Sequence, residues 1–142
     1  MPREPKTLQK AGGESETILL VDDDVDVRAF VGNLLQQEGY LVLEASGGTE
    51  ALRICAQYEG PLHLLLTDVQ MPDMSGPELV PQALALRPHL LVLYMSAQSG
   101  ETFHVLLKGQ PAWPFIHKPF APEVLAQKVR DLLGSSTQGP PA

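Results

Sequence analysis

Short apolar runs alternate along this chain with longer stretches in which apolar residues recur every three or four positions. Thr17-Ile18-Leu19-Leu20-Val21 is one unbroken run, closed by three aspartates, and Leu62 to Thr67 is another, leading into Asp68 and stopped by Pro72. Runs without polar alternation read as strands covered on both faces, as in a parallel sheet. Tyr40 to Ala45, Leu90 to Met95 and Ala112 to His117 supply three more strands, and Pro114 inside the last points to a sheet edge. Between the strands the period changes. Val27, Phe30, Val31, Leu34 and Leu35 line one helical face, with Asp24 as N-cap and Gly39 as the stop. After the turn Ser46-Gly47-Gly48, Thr49 to Tyr58 reads as a helix with Ala51, Leu52 and Cys55 together. A third helix follows Gly76 and runs to about Leu86; Pro77 suits its first turn and Pro81 should bend it. Residues 101–108 are weakly helical, and Pro122 opens a last helix bearing Val124, Leu125, Val129, Leu132 and Leu133, closed by Gly134. Five strands and five helices in strict alternation predict a doubly wound parallel sheet. Residues 1–16 and 135–142, polar and rich in Gly, Pro and Ser, read as a disordered leader and tail around one domain, 17–134.

Composition narrows the setting. A chain of 142 residues supports one domain with a real core, and no apolar run approaches the ~20 residues that span a bilayer. No secretory signal is visible, and the single Cys55 fits a reducing, cytoplasmic setting. Charges in the leader cancel, so the formal net charge of -7 belongs to the domain. Asp22, Asp23, Asp24 and Asp26 fall within five positions. Such a field disfavours nucleic acid and anionic membranes and favours cations.

The strand ends carry the chemistry: Asp22 and Asp23 on the first, Asp68 on the third, Ser96 on the fourth and Lys118 on the fifth. If the strands lie in the order 2-1-3-4-5, the first and third are neighbours at the point where the winding reverses, which is where open α/β sheets bind ligands. Three carboxylates meeting there repel one another, and either protonation or a divalent cation relieves this. All-oxygen ligation by few carboxylates suits Mg²⁺. With Lys118 and Ser96 facing them, the arrangement suits phosphoryl transfer with Asp68 as nucleophile.

Four segments stand in order on these elements: Ile18-Leu19-Leu20-Val21-Asp22-Asp23-Asp24, Asp68-Val69-Gln70-Met71-Pro72, Met95-Ser96-Ala97 and Lys118-Pro119-Phe120. Through them residues 17–134 resemble the receiver domain of two-component response regulators. The resemblance implies a flavodoxin-like α/β fold, a (βα)5 three-layer sandwich with parallel strand order 2-1-3-4-5. It implies Asp68 as phosphoacceptor, with Ser96 and Lys118 completing the catalytic set. Asp22, Asp23, Asp68 and the backbone carbonyl of Gln70 would hold Mg²⁺, with Mn²⁺ as substitute. Ser96 would be the switch hydroxyl and Phe115 the switch aromatic, which as Phe signals by ring position and packing alone. The bond from Lys118 to Pro119 would be cis. Gln70 and Gln98 stand where the family tunes dephosphorylation, with no direction evident from two amides. The expected partners are a histidine kinase or histidine phosphotransfer protein and a downstream protein reading the face around residues 101–109, 112–117 and 121–133, with no direct nucleic acid or membrane contact. No turnover is expected beyond the domain's own phosphorylation and dephosphorylation.

Glu16 to Asp22 after a polar leader, and Phe115 to Glu123, further resemble the C-terminal receivers of hybrid sensor histidine kinases. A stand-alone receiver is the alternative, and eight residues after Gly134 leave no room for a DNA-binding helix-turn-helix. A flavin carrier would need a Ser/Thr/Gly-rich phosphate loop where three aspartates stand, and an aspartyl phosphatase would want a second acid where Gln70 stands. A receiver that binds partners without phosphorylation is a further reading, although the site lacks no component. Asp24 and Asp26 read as cap and surface, Cys55 and Phe103 as core, and His63, His89, His104 and His117 as structural or surface groups; Trp113 carries no assignment. The segment 99–114, with Gln110-Pro111-Ala112-Trp113-Pro114, departs most from the family pattern.

Overall fold

A computed structural model describes residues 16–97 and 113–134. Within them lie five strands: β1 (Thr17–Val21), β2 (Leu41–Ala45), β3 (Leu64–Asp68), β4 (Leu91–Ser96) and β5 (Phe115–His117). The described helices are α1 (Val25–Gln37), α2 (Gly48–Gln57), α3 (Gly76–Leu86) and α4 (Pro122–Gly134). The expected helix at 101–108, with Gln98 and Phe103, lies outside the described residues, as do most of the expected leader and the tail. The strands form one parallel sheet in the order β2-β1-β3-β4-β5, as expected.

The apolar runs of β1, β3 and β4 occupy the middle of the sheet, and their side chains are buried on both faces. Pro114 precedes β5 rather than interrupting it: its carbonyl accepts from the Tyr94 N–H at 3.0 Å, and the strand starts one residue later at the sheet edge. Trp113 is buried, and Cys55 is buried with its thiol pushed up by desolvation, both as core. His63 is structural: its Nδ1 accepts the Thr17 N–H at 2.8 Å. His89 and His117 are exposed.

Two expected core positions prove exposed. On α1 the buried line runs through Val31 and Leu35, and Phe30 falls about a third of a turn from it, so its ring is 47% exposed. On α4 the buried line is Leu125, Val129 and Leu133, which leaves Val124 half in solvent. The helix ends follow local chemistry. Asp24 caps α1, accepting from the Asp26 and Val27 N–H groups at 2.9 and 3.3 Å. Gly39, at φ 101°, takes the left-handed position after its end. Ser75 and Glu78 form a capping box on α3, which continues through Pro81 to Leu86.

Helix α2 has no capping side chain of its own, because Gly47 stands at its N-cap. Asp73, in the loop after β3, supplies one from 25 residues away. Its carboxylate accepts from Gly48 N–H (3.2 Å), Thr49 N–H (2.9 Å) and Met74 N–H (2.9 Å). The Thr49 N–H, ahead of its other donors, holds the Asp73 carboxyl below the usual carboxylate range. Asp73→Ala is expected to cost about 1 kcal/mol at neutral pH. A depressed folded pKa gives stability that is present above the unfolded value, near ~4, and lost as pH falls through the folded one. Urea melts of wild type and Asp73→Ala should therefore differ at pH ~7 and draw together as pH falls below ~4.

At the other end of α2, the Arg87 guanidinium donates to the carbonyls of Cys55 (2.9 Å), Gly60 (2.8 Å) and Tyr58. It closes the helix C-terminus and the turn beyond it. Arg87→Ala strands three acceptors in a half-buried position and is expected to lower the urea midpoint by an amount worth about 2 kcal/mol.

Candidate functional site

Register brings the polar strand ends to one level. Val21 pairs with Thr67, Asp68 with Met95, and Ser96 with His117. Asp22 follows β1 directly, and Lys118 follows β5. The chain reverses its winding between β1 and β3, so a crevice opens above Asp22 and Asp68.

The side chains converge. Oxygens of Asp22, Asp23 and Asp68 all lie within 4.8 Å of one another. Lys118 Nζ donates to Asp22 Oδ2 at 3.2 Å and to Asp68 Oδ2 at 3.1 Å. Asp22 is fully buried, and its second oxygen accepts the Asp24 N–H at 2.9 Å. Lys118 thus bridges two of the three carboxylates, which leaves an excess of negative charge in a partly desolvated pocket. Desolvation pushes the Asp68 carboxyl above its usual range, against the pull of Lys118; nearby Asp22 raises it further, and the backbone N–H of Gln70 opposes the rise. For Lys118, burial acts to lower the ammonium pKa, but Asp68 and Asp22 together outweigh it and hold the group above its usual value. A hard divalent cation matches this all-oxygen donor set and would remove the cost of the crowded acids.

The other expected residues lie around this cluster. Ser96 is fully buried at the end of β4, and its carbonyl accepts the Lys118 N–H at 2.8 Å. The Lys118–Pro119 bond is cis, as the resemblance implied. Gln70 is exposed, two residues past Asp68. Phe115 is half-buried on β5, beside Tyr94.

Three supporting residues were not anticipated. Arg28, one turn into α1, donates from Nη1 to the Asp22 carbonyl at 2.6 Å and pairs through Nε with Glu44 at 3.3 Å, so it pins the acidic loop to β2. Asp73 and Gly76 fix the loop that leaves Asp68. The Gly76 N–H donates to the Val69 carbonyl at 2.7 Å, and a Cβ at Gly76 would lie 2.7 Å from the Asp68 carbonyl oxygen. A cleft of about 540 Å³, bounded by Asp23, Thr49, Glu50, Pro72 and Asp73, opens beside the carboxylates.

Comparison with known proteins agrees with this geometry. The family model for the response regulator receiver domain matches residues 18–130. The sensor kinase CckA of Brucella abortus is 34% identical over 119 residues, 84% of this chain and 13% of the kinase. The chain spans between 13% and 52% of the length of three such curated relatives. A solved receiver domain of the hybrid histidine kinase CckA is 33% identical at a TM-score of 0.70, covering 82% of this chain and 98% of that one. A CheY-like receiver domain protein of Methanospirillum hungatei superposes at a TM-score of 0.78 with 29% identity, covering 87% of this chain and 98% of that one. The response regulator TrrA of Thermotoga maritima, solved in complex with Mg²⁺–BeF, is 28% identical at a TM-score of 0.69, covering 82% of this chain and 98% of its own. No described helix is long and apolar enough to cross a membrane. With a family match that takes in β2 to β5, all of β1 but Thr17, and the acidic cluster at the strand ends, the chain belongs to the response regulator receiver domain family of two-component signalling.

Proposed function

We propose that Asp68 accepts a phosphoryl group from a phosphohistidine, with Mg²⁺ required, and that the change in charge is read on the β4–β5–α4 side of the domain. The observation that carries this reading is the crowding of three carboxylates within 4.8 Å of one another, two of them bridged by the Lys118 ammonium, at the carboxyl end of a parallel sheet. Asp22, Asp23, Asp68 and the Gln70 carbonyl are the groups to hold the cation, with Mn²⁺ as substitute. The cation supplies charge neutralisation at the phosphoryl oxygens.

The chain's own residues do the rest. An oxygen of Asp68 attacks phosphorus; the new O–P bond forms as the P–N bond to imidazole breaks, and that electron pair stays on the leaving nitrogen, which takes a proton from solvent. Lys118, already between Asp22 and Asp68, is placed to shift its contact to a phosphoryl oxygen. Ser96, one strand away, offers a hydroxyl donor. The phosphoryl group carries roughly two negative charges where the carboxylate carried one, and its added charge and oxygens at the tip of β3 then favour a different placement of the β4 and β5 ends, with Phe115 following by packing. The likeness to CckA favours origin in a hybrid kinase, with this domain in the cytoplasm; a transmitter-kinase sequence upstream in the parent gene would decide this against a stand-alone receiver.

Incubation with acetyl phosphate tests the metal dependence. With Mg²⁺ the chain should gain one phosphoryl group by intact-mass spectrometry. With EDTA the rate should fall on the order of 100-fold or more. Labelling at an equal rate without metal would overturn the reading.

A further inference from the structure

We propose that Asp73 is a positioning residue for phosphoryl transfer, holding the loop that carries Gln70 in metal-binding register by docking it on the N-terminus of α2. The inference rests on the reading of Asp68 as a Mg²⁺-assisted phosphoacceptor. The loop leaves the site at Asp68 and returns at Gly76. Its inner end is fixed to the sheet: Val69 N–H donates to the Met95 carbonyl at 3.0 Å, and Gly76 N–H to the Val69 carbonyl at 2.7 Å. Gln70 and Pro72 project away from the core, and both are exposed.

At this outer part Asp73 reaches across to another element. Its two carboxylate oxygens divide their work: Oδ1 accepts from Gly48 and Met74 N–H, and Oδ2 from Thr49 N–H. The Gly48 and Met74 bonds tie α2 and the loop to one atom, Oδ1. A Cβ on Gly47 or Gly48 would come within 2.8 Å of Asp73 or 2.3 Å of Met74, so glycines let the two segments approach. The adjoining cleft leaves the outer side of the clamp open to solvent, with Asp23 of the acidic trio on the same cleft wall. Met71 and Met74 pack the inner side of the loop against the core, and on the outer side the Asp73 hydrogen bonds hold it. Residues that orient a metal ligand without touching the metal commonly change affinity by about 10- to 100-fold when removed.

The test follows the Mg²⁺ dependence of acetyl phosphate labelling in the full chain. Asp73→Ala is expected to raise the half-saturating Mg²⁺ concentration about tenfold and to leave the rate at saturating Mg²⁺ within about twofold of wild type. Asp73→Asn removes the same charge but keeps one acceptor oxygen, so it should fall between wild type and Ala. Arg87→Ala loosens the opposite end of α2 and should lower the urea midpoint without moving the Mg²⁺ requirement. An unchanged Mg²⁺ requirement in Asp73→Ala, equal effects of Asn and Ala, or the same rise in Arg87→Ala would each overturn the inference. Failure of the wild type itself to label at any Mg²⁺ concentration would sink the Asp68 reading, and this inference with it.

Discussion

Asp68→Asn is expected to gain no phosphoryl group from acetyl phosphate and Mg²⁺ under conditions where the wild type gains one. An amide oxygen is a poor nucleophile and carries no charge for the cation, so labelling should fall on the order of 10³-fold or more. Stability should not fall with it. The substitution keeps the side-chain shape and relieves repulsion with Asp22, while Lys118 retains its contact to Asp22 at 3.2 Å. Urea midpoints of the two proteins should therefore agree to within about 1 kcal/mol. A variant that labels like wild type would show that another side chain takes the phosphoryl group.

Gly76→Ala should damage both fold and activity. The added methyl would sit 2.7 Å from the Asp68 carbonyl oxygen and 2.9 Å from the Tyr94 ring. Neither neighbour yields easily: one is backbone at the tip of β3, and the other is a fully buried ring in the central sheet. The expected loss is about 2 to 3 kcal/mol in urea melts, with slower labelling as the β3 tip is pushed from Asp22. Gly134→Ala is the matching control, since nothing lies within 4 Å of its added Cβ. A wild-type midpoint for Gly76→Ala would mean that the loop shifts freely, and the tight packing around Asp68 would then be irrelevant.

Much of this architecture is legible in the chain because its strongest signals are local. Unbroken apolar runs such as Leu64-Leu65-Leu66, bounded by polar and turn residues, read as central strands, and each predicted strand ends within two residues of its observed end. The acidic, hydroxyl and lysine positions at those ends needed only the strand order to become neighbours. What escaped the sequence depends on contacts across long separations. Asp73 caps a helix that begins 25 residues earlier, and Arg87 closes the same helix from 32 residues beyond Cys55. Neither has a local pattern that names its partner. Ser75 and Glu78 differ in kind: their capping box is a readable four-residue pattern. Phe30 and Val124 were misplaced because periodicity fixes the spacing of an apolar stripe better than its centre. The direction of burial came from which neighbours, Gly32 against Glu44 among them, let the helix approach the sheet.

The ammonium of Lys118 already bridges Asp22 and Asp68. Two of the acids therefore have a built-in counterion, and the resting domain is expected to stay folded without a borrowed one. Magnesium starvation would silence such a module without unravelling it, and restoring the ion would return signalling with no refolding delay.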